Sequence, residues 1–469
     1  MQERVRLLER AAFKYLTSLV VFVAFILTVS AQQTSAPPRE TSKAKRALII
    51  SIDGLDARYL LRADEYGLKI PTLRRLMREG AMAAVIGVYP SVTYPSHTTI
   101  VTGATPARHG IVNNTLFEPP PMKPTGSWFW FARDIKADTL WDAAARRGLS
   151  VGLVSWPVST GAGDWNVPEI WKPGTRPFES RDTVREYARP RGLIEEVESA
   201  DADLFKRLTP DEGDDMRTRF AEYIIAHKRP QLMLVHLFDL DHFEHDHGPF
   251  TPQAFAILEK VDGYVERLLA AASRAGTLDE TAVLVVSDHG FMRISKTIHP
   301  LVVLERAGLL KAERDGAGKK VVTDWRAMPY VAGGACFIIL RDPQDAEALA
   351  RAREAFRPYM QQGILRIINK NELELLGADP RAAFALDANE GYAFGGGFAE
   401  DAIGPSSSRG THGYLPTLPD YRASFIAAGA GIGRKGKIGE IRMIDIGPTV
   451  ARLLGLELRD AQGRALPLE

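Results

Sequence analysis

Three aspartates, three histidines and one threonine have the types and positions to do chemistry together. The threonine, Thr93, lies in Tyr89-Pro90-Ser91-Val92-Thr93-Tyr94-Pro95-Ser96-His97. Prolines on either side predict that it sits at a turn, outside any regular ladder. A hydroxyl held ahead of a helix start is placed to meet an anion. Asp53 closes the apolar run 47–52. Asp241 and His245 follow the run 232–237, in a loop that Gly248-Pro249 closes. Asp239 and His242 compete with them for the same roles. Asp288 and His289 follow the run 282–287, and His412 sits in Gly410-Thr411-His412-Gly413-Tyr414.

Oxygen and nitrogen donors in these numbers make two borderline-hard sites. They suit two Zn²⁺ ions well, and Mn²⁺ or Fe²⁺ less well. A hydroxyl beside such a cation loses its proton near neutral pH. Two ions about 4 Å apart would clamp the attacking and leaving oxygens of an in-line phosphoryl displacement. Each fragment alone has an ordinary structural reading as a cap, turn or surface residue. Their recurrence just after apolar runs favours function.

The elements that must position them follow from the apolar pattern. The runs 47–52, 231–237, 282–287 and 422–428 are nearly continuous, as suits strands covered on both faces. Acids at their C-terminal ends fall where open α/β sheets place ligands. Helices are predicted over 70–80, 96–103, 141–147, from Thr251-Pro252 onward, and over 445–454. A further strand is predicted at 151–154, and shorter ones at 337–340 and 365–368. Periodicity breaks near 160–219 and again near 304–410. The prediction is therefore one α/β domain over 46–469, with a central, mostly parallel sheet flanked by helices and cap insertions at those two places.

Composition narrows the class. The 59 basic and 58 acidic residues nearly cancel, which gives no argument for a stable nucleic-acid complex. The single cysteine, Cys336, excludes an intramolecular disulfide and reads as a small core hydrophobe. At the N-terminus, Arg4, Arg6, Arg10 and Lys14 precede an apolar stretch, 16–28, shorter than the roughly 20 residues of a membrane span. Small residues follow at Val29-Ser30-Ala31. This reads as a signal peptide over 1–31 and a linker over 32–45, directing the chain to secretion or the periplasm. An uncleaved N-terminal membrane anchor is the alternative. Oligomeric state is left open.

The ordered set Ile52-Asp53-Gly54, Tyr89 to His97, Thr102-Gly103, His109-Gly110-Ile111-Val112-Asn113-Asn114, Asp138-Thr139-Leu140-Trp141, Trp156-Pro157, Asp241-x-x-x-His245, Ser287-Asp288-His289-Gly290 and His412-Gly413-Tyr414 spans most of residues 46–460. It resembles the nucleotide pyrophosphatase/phosphodiesterase family of the alkaline phosphatase superfamily. The resemblance implies an alkaline phosphatase-like core and hydrolysis of a small-molecule phosphodiester or nucleotide pyrophosphate. It implies Thr93 as a nucleophile that becomes phosphothreonine. One zinc would be held by Asp53, Asp288, His289 and the Thr93 oxygen, the other by Asp241, His245 and His412. Asn114 would donate to a phosphate oxygen. The chain departs from the pattern at Ser96, where the family often has Asn, and in the crowded His242-Phe243-Glu244 stretch.

Trp128 and Trp130, in Trp128-Phe129-Trp130-Phe131, are either a wall for a substrate group or core of the lid, and Trp156 is the other candidate wall. A phosphomonoesterase or phosphonate hydrolase on the same metals is the nearest alternative activity, and a lipid headgroup phosphodiesterase is another. A sulfatase is disfavoured because Cys336 leads into Phe337-Ile338 and not into a Cys/Ser-x-Pro-x-Arg motif. A non-catalytic binding protein is disfavoured because all six ligands and the threonine are present.

Overall fold

A computed structural model of the chain describes residues 44–122, 125–173, 175, 180–205 and 213–469. The predicted signal peptide and nearly all of the linker lie outside the described residues. The five predicted runs, with three strands that the sequence pattern did not mark (Gly436–Arg442, Ala81–Ile86 and Trp165–Val167), form one eight-stranded sheet in the order Gly436–Arg442, Ala81–Ile86, Ala423–Gly429, Thr281–Val286, Arg46–Ile52, Leu232–Leu237, Val151–Val154 and Trp165–Val167. All neighbours run parallel except at Ala423–Gly429, which is antiparallel on both sides.

Register explains how the strand ends meet. Ile52 pairs with Leu237 and Ser51 with Val286, so Asp53, Phe238 and Ser287 leave the sheet side by side. The strands read as continuous apolar runs because both faces are buried. Leu48, Ile50 and Ile52 join one core cluster, while Ala47 and Ile49 join the other. Each fully buried Leu, Ile or Val contributes about 1.5–3 kcal/mol.

Helix Pro252–Arg274 covers the first face with Ile257, Leu258, Val261, Val265 and Leu268. It also carries Asp262, whose carboxylate accepts from the backbone N–H groups of Thr72 and Leu73 at 3.1 and 2.8 Å. Those are donors that helix Pro71–Glu79 cannot satisfy itself. Helix Gly213–Tyr223, near the end of the aperiodic stretch, buries Phe220 and Ala221 in the same core.

Residues 300–405 build a second layer. Ala327–Ala332, Ala335–Leu340, Ala382–Ala388 and Leu365–Ile368 form an antiparallel sheet backed by helix Ala346–Gln361. Cys336 is buried within it. Strand Met292–Ile298 pairs with Gly410–Thr411, which delivers His412 to the main sheet's C-terminal edge. Among the described residues no helix is long and apolar enough to cross a membrane.

Candidate active site

Six of the residues singled out above fall into two groups at the C-terminal edge of the sheet. Asp53, Asp288 and His289 form one; Asp241, His245 and His412 form the other. Within each group the ligand atoms lie within 4.8 Å of one another. The groups adjoin: the His289 and His412 rings stack with centroids 3.7 Å apart.

The first group hangs directly from strand ends. His289 Nε2 lies 3.0 Å from Asp288 Oδ2 and 3.2 Å from Asp53 Oδ1. Asp288 Oδ1 accepts from the backbone N–H of Gly54 at 3.1 Å, which turns Oδ2 toward the group. Gly54 must be glycine here. Its φ is +72°, and a Cβ would stand 2.7 Å from Glu244 Oε2.

The second group was expected on a loop, but Asp241 and His245 lie on helix Asp239–His247. A four-residue spacing therefore puts them on one face, with His245 Nε2 3.5 Å from Asp241 Oδ1. The start of this helix is tied by Asp214, whose carboxylate accepts from the Phe238 and Asp239 N–H groups at 2.9 and 3.0 Å. Sequence periodicity missed the helix because its polar residues outnumber its apolar ones. Of the competing residues, Asp239 is buried and accepts from the Asp214 N–H at 3.1 Å, and His242 is exposed beside Asp246. Neither is in a cluster.

His245 Nδ1 donates to the Gly410 carbonyl at 3.0 Å, and His412 Nδ1 faces the Ser91 carbonyl at 3.4 Å. Both therefore present Nε2 to the group, the arrangement a metal-ligating imidazole needs. Gly413, with φ +100°, passes so close to the second layer that a Cβ would lie 2.0 Å from the Ala332 carbonyl oxygen. A side chain there would displace His412.

The donor atoms fit cations. Asp53 Oδ1, Asp241 Oδ1, Asp288 Oδ2 and His289 Nε2 are buried with no hydrogen-bond partner, an arrangement that is costly unless an ion satisfies them. Against burial, Asp288 and Asp53 hold the His289 imidazole well above its ordinary value, so in the bare site a proton offsets their charge. Burial and repulsion from Asp53 push Asp288 up to about 6. Burial, then the Asp53 charge, push Asp241 well above the usual carboxylate range. Burial holds His412 well below the ordinary imidazole value and His245 down to about 4, leaving both neutral as ligands must be. A nitrogen–oxygen donor set of this kind suits Zn²⁺.

Thr93 is the first residue of helix Thr93–Thr102, so the helix starts earlier than predicted from Ser96. Pro95 is tolerated because a first-turn N–H has no intrahelical partner to lose. Asn114 Oδ1 accepts from the Tyr94 N–H at 2.9 Å, which leaves its Nδ2 as the donor end. His97 spans the Thr93 carbonyl and Ser51 Oγ, each at 2.8 Å. Burial holds it well below the ordinary imidazole value. With both ring nitrogens engaged, it acts as a strut under the first turn of the helix.

The aromatic residues divide. Trp128 is half-buried and packs edge-on to Tyr94 at 5.2 Å and Trp171 at 5.0 Å. Trp130 is buried in the same cluster. Trp156, expected as a wall, is fully buried and edge-on to His97 at 5.0 Å. It has no face to offer a ligand; its bulk fills the core beneath the turn.

Two residues escaped sequence reasoning. His236 Nε2 lies 2.9 Å from Asp53 Oδ2, and its Nδ1 lies 2.9 Å from Glu169 Oε2. Asp53 and Glu169 together hold His236 up at about 10 against the effect of burial. Burial pulls Asp53 up, yet the hydrogen bond from His236 and the nearby His289 imidazole hold it well below the usual range. One signal was present: a histidine inside a strand whose two faces are both buried needs partners.

Residues 47–415 match the family model for type I phosphodiesterase / nucleotide pyrophosphatase. The chain is 24% identical over 432 residues to ectonucleotide pyrophosphatase/phosphodiesterase family member 1 of Mus musculus, covering 87% of this chain and 40% of that one. It is 24% identical over 293 residues to human family member 5, covering 60% and 52%. It thus spans about two fifths of the length of the first of these curated relatives. The solved structure of human ectonucleotide pyrophosphatase/phosphodiesterase 5 superposes with a TM-score of 0.61 at 20% identity, over 90% of this chain and 96% of that one. The murine counterpart, an inactive threonine-to-alanine variant in complex with AMP, gives 0.59 at 20% identity, over 90% and 96%. These likenesses carry the fold: an alkaline phosphatase-like α/β core.

Proposed function

The chain belongs to the type I phosphodiesterase / nucleotide pyrophosphatase family, and on that premise we propose that it hydrolyses phosphodiester or pyrophosphate bonds of small molecules through a covalent phosphothreonine. The observation that carries this reading is the pair of adjoining acid–histidine groups whose buried donor atoms lack partners. Asp53, Asp288, His289 and the Thr93 oxygen would hold one Zn²⁺, and Asp241, His245 and His412 the other. Bound zinc supplies a lowered pKa for coordinated oxygens and neutralises phosphate charge.

The chain's own residues do the rest. Thr93 Oγ1 forms a bond to phosphorus as the bond to the leaving oxygen breaks. Asn114 Nδ2, its amide aimed by the Tyr94 N–H, donates to a phosphate oxygen and stabilises charge without losing a proton. Water then attacks phosphorus and the bond to Thr93 Oγ1 breaks, releasing a phosphomonoester from a diester. Trp128 is the aromatic surface available to an organic group on the substrate. The AMP held by the murine relative supports nucleotide phosphodiesters as the class. We further propose that the cap insertions lie near 160–219 and 304–410, the second of them including most of the second layer, and that the basic, then apolar N-terminus directs export.

The test is Thr93→Ala. Turnover of a p-nitrophenyl thymidine monophosphate diester should fall at least about 10⁴-fold, while atomic emission still finds two zinc ions per chain. Full activity in that variant refutes the nucleophile. Faster cleavage of a simple monoester than of the diester by the wild-type protein would favour the phosphomonoesterase alternative.

A further inference from the structure

A buried chain of hydrogen bonds joins the first ligand group to the aromatic cluster beside Thr93. Asp53 Oδ2 meets His236 Nε2 at 2.9 Å, and His236 Nδ1 meets Glu169 Oε2 at 2.9 Å. The Tyr94 hydroxyl donates to Glu169 Oε1 at 3.0 Å. Each oxygen of Glu169 thus serves a different branch. One leads through His236 to Asp53, whose other oxygen, Oδ1, faces the ligand group. The other leads to Tyr94, the residue after Thr93, whose ring supports Trp128.

The side chains of His236 and Glu169 are 1% and 9% exposed, so little of either is open to water. His236 Nδ1 also lies 3.0 Å from the Ser155 carbonyl, so that nitrogen faces two acceptors at once. None of these residues except Asp53 belongs to a ligand group.

We propose that Glu169 is a positioning residue that couples the two halves of the site: through His236 it sets which oxygen of Asp53 meets the cation, and through Tyr94 it sets the aromatic wall beside the nucleophile. The inference rests on the two-ion reading above. A carboxylate is needed because both branches present N–H or O–H groups to it, and only a two-oxygen acceptor serves both. Outer partners of this kind typically change metal affinity about 10–100-fold when removed.

The experiment is competitive Zn²⁺ titration of chelator-stripped, full-length protein, with steady-state kinetics on the reloaded enzyme. Glu169→Gln should weaken one site about 10–100-fold, the same site that Asp53→Asn loses, and leave the other within twofold. Tyr94→Phe cuts only the second branch. It should leave both zinc affinities within twofold and raise KM for the diester a few-fold with kcat retained. Should Glu169→Gln fail to fold, Glu169→Asp carries the same test, because an arm one methylene shorter cannot reach both partners.

A Glu169 variant with both affinities unchanged, or with both weakened equally, overturns the coupling. So does a Tyr94→Phe variant that loses zinc. A wild-type protein that takes up fewer than two ions overturns the two-ion reading itself, and is thereby told apart from a failure of Glu169 alone.

Discussion

The two ligand groups differ in how they are built. Asp53, Asp288 and His289 hang from neighbouring parallel strands whose register leaves them no freedom, and their side chains are 4%, 0% and 0% exposed. Asp241 and His245 ride on a helix and His412 on a loop, with side chains 18%, 31% and 9% exposed. A desolvated group is costly when bare and tight when filled. A partly exposed group exchanges ligands with water more readily. The contrast suits one centre that holds an oxygen nucleophile and one that admits water.

The strongest way to break this comparison is to delete a ligand from each side. Asp53→Ala should remove one zinc outright, lowering that site's affinity more than about 10³-fold, because burial lets no water replace the carboxylate. His245→Ala should cost less, about 10²-fold, since water can enter in its place. Zinc stoichiometry against a graded chelator reads both; equal losses would erase the distinction. In the same titration the wild-type protein should release its ions in two phases, the open group first.

A histidine outside both groups sharpens the point. His109 is buried, accepts from the Ile111 N–H at 3.1 Å through Nδ1 and meets Thr99 at 3.0 Å. Burial pushes it down to about 3 from an ordinary 6.5. Below pH 6.5 the unfolded chain binds this proton and the folded chain does not. Its stabilisation is therefore complete above that pH and lost as pH falls toward the folded value, at about 1.4 kcal/mol per unit. His109→Asn, whose Oδ1 can still accept from Ile111, should flatten that slope in urea melts between pH 6.5 and 4, at a cost of about 1 kcal/mol at pH 7. An unchanged slope would show that His109 does not carry it.

The smallest effect belongs to His242. It shares a helix with Asp241 and His245 but is 51% exposed, with its nearest acid Asp246 3.8 Å away. His242→Ala should change zinc affinity and turnover less than twofold. A loss as large as that of His245→Ala would mean that the ligand register is shifted.

Much of this was legible in the sequence. The strands ending at Asp53 and Asp288 announced themselves because burial on both faces forces continuous apolar runs. The helix carrying Asp241 and His245 did not, because its stability comes from Asp214 in a distant helix and not from its own periodicity. Trp156 was misjudged for a related reason: a tryptophan has the same letter in a wall as in a core, and only packing against His97 shows which. His236 and Glu169, 67 residues apart in the chain, share no local pattern at all.

By itself, then, the order of residues determined the five apolar strands of the sheet, the strand-ending acids and the family, whereas Thr93, expected at a turn outside any element, opens a helix. These depend on local polarity and spacing, which are written along the chain. The tertiary structure alone decided that Asp241 and His245 share a helix face, that one group is more deeply buried than the other, and that the Glu169 carboxylate links Asp53 to Tyr94. Those properties arise from distance, burial and orientation between segments far apart in sequence, and no local pattern encodes them.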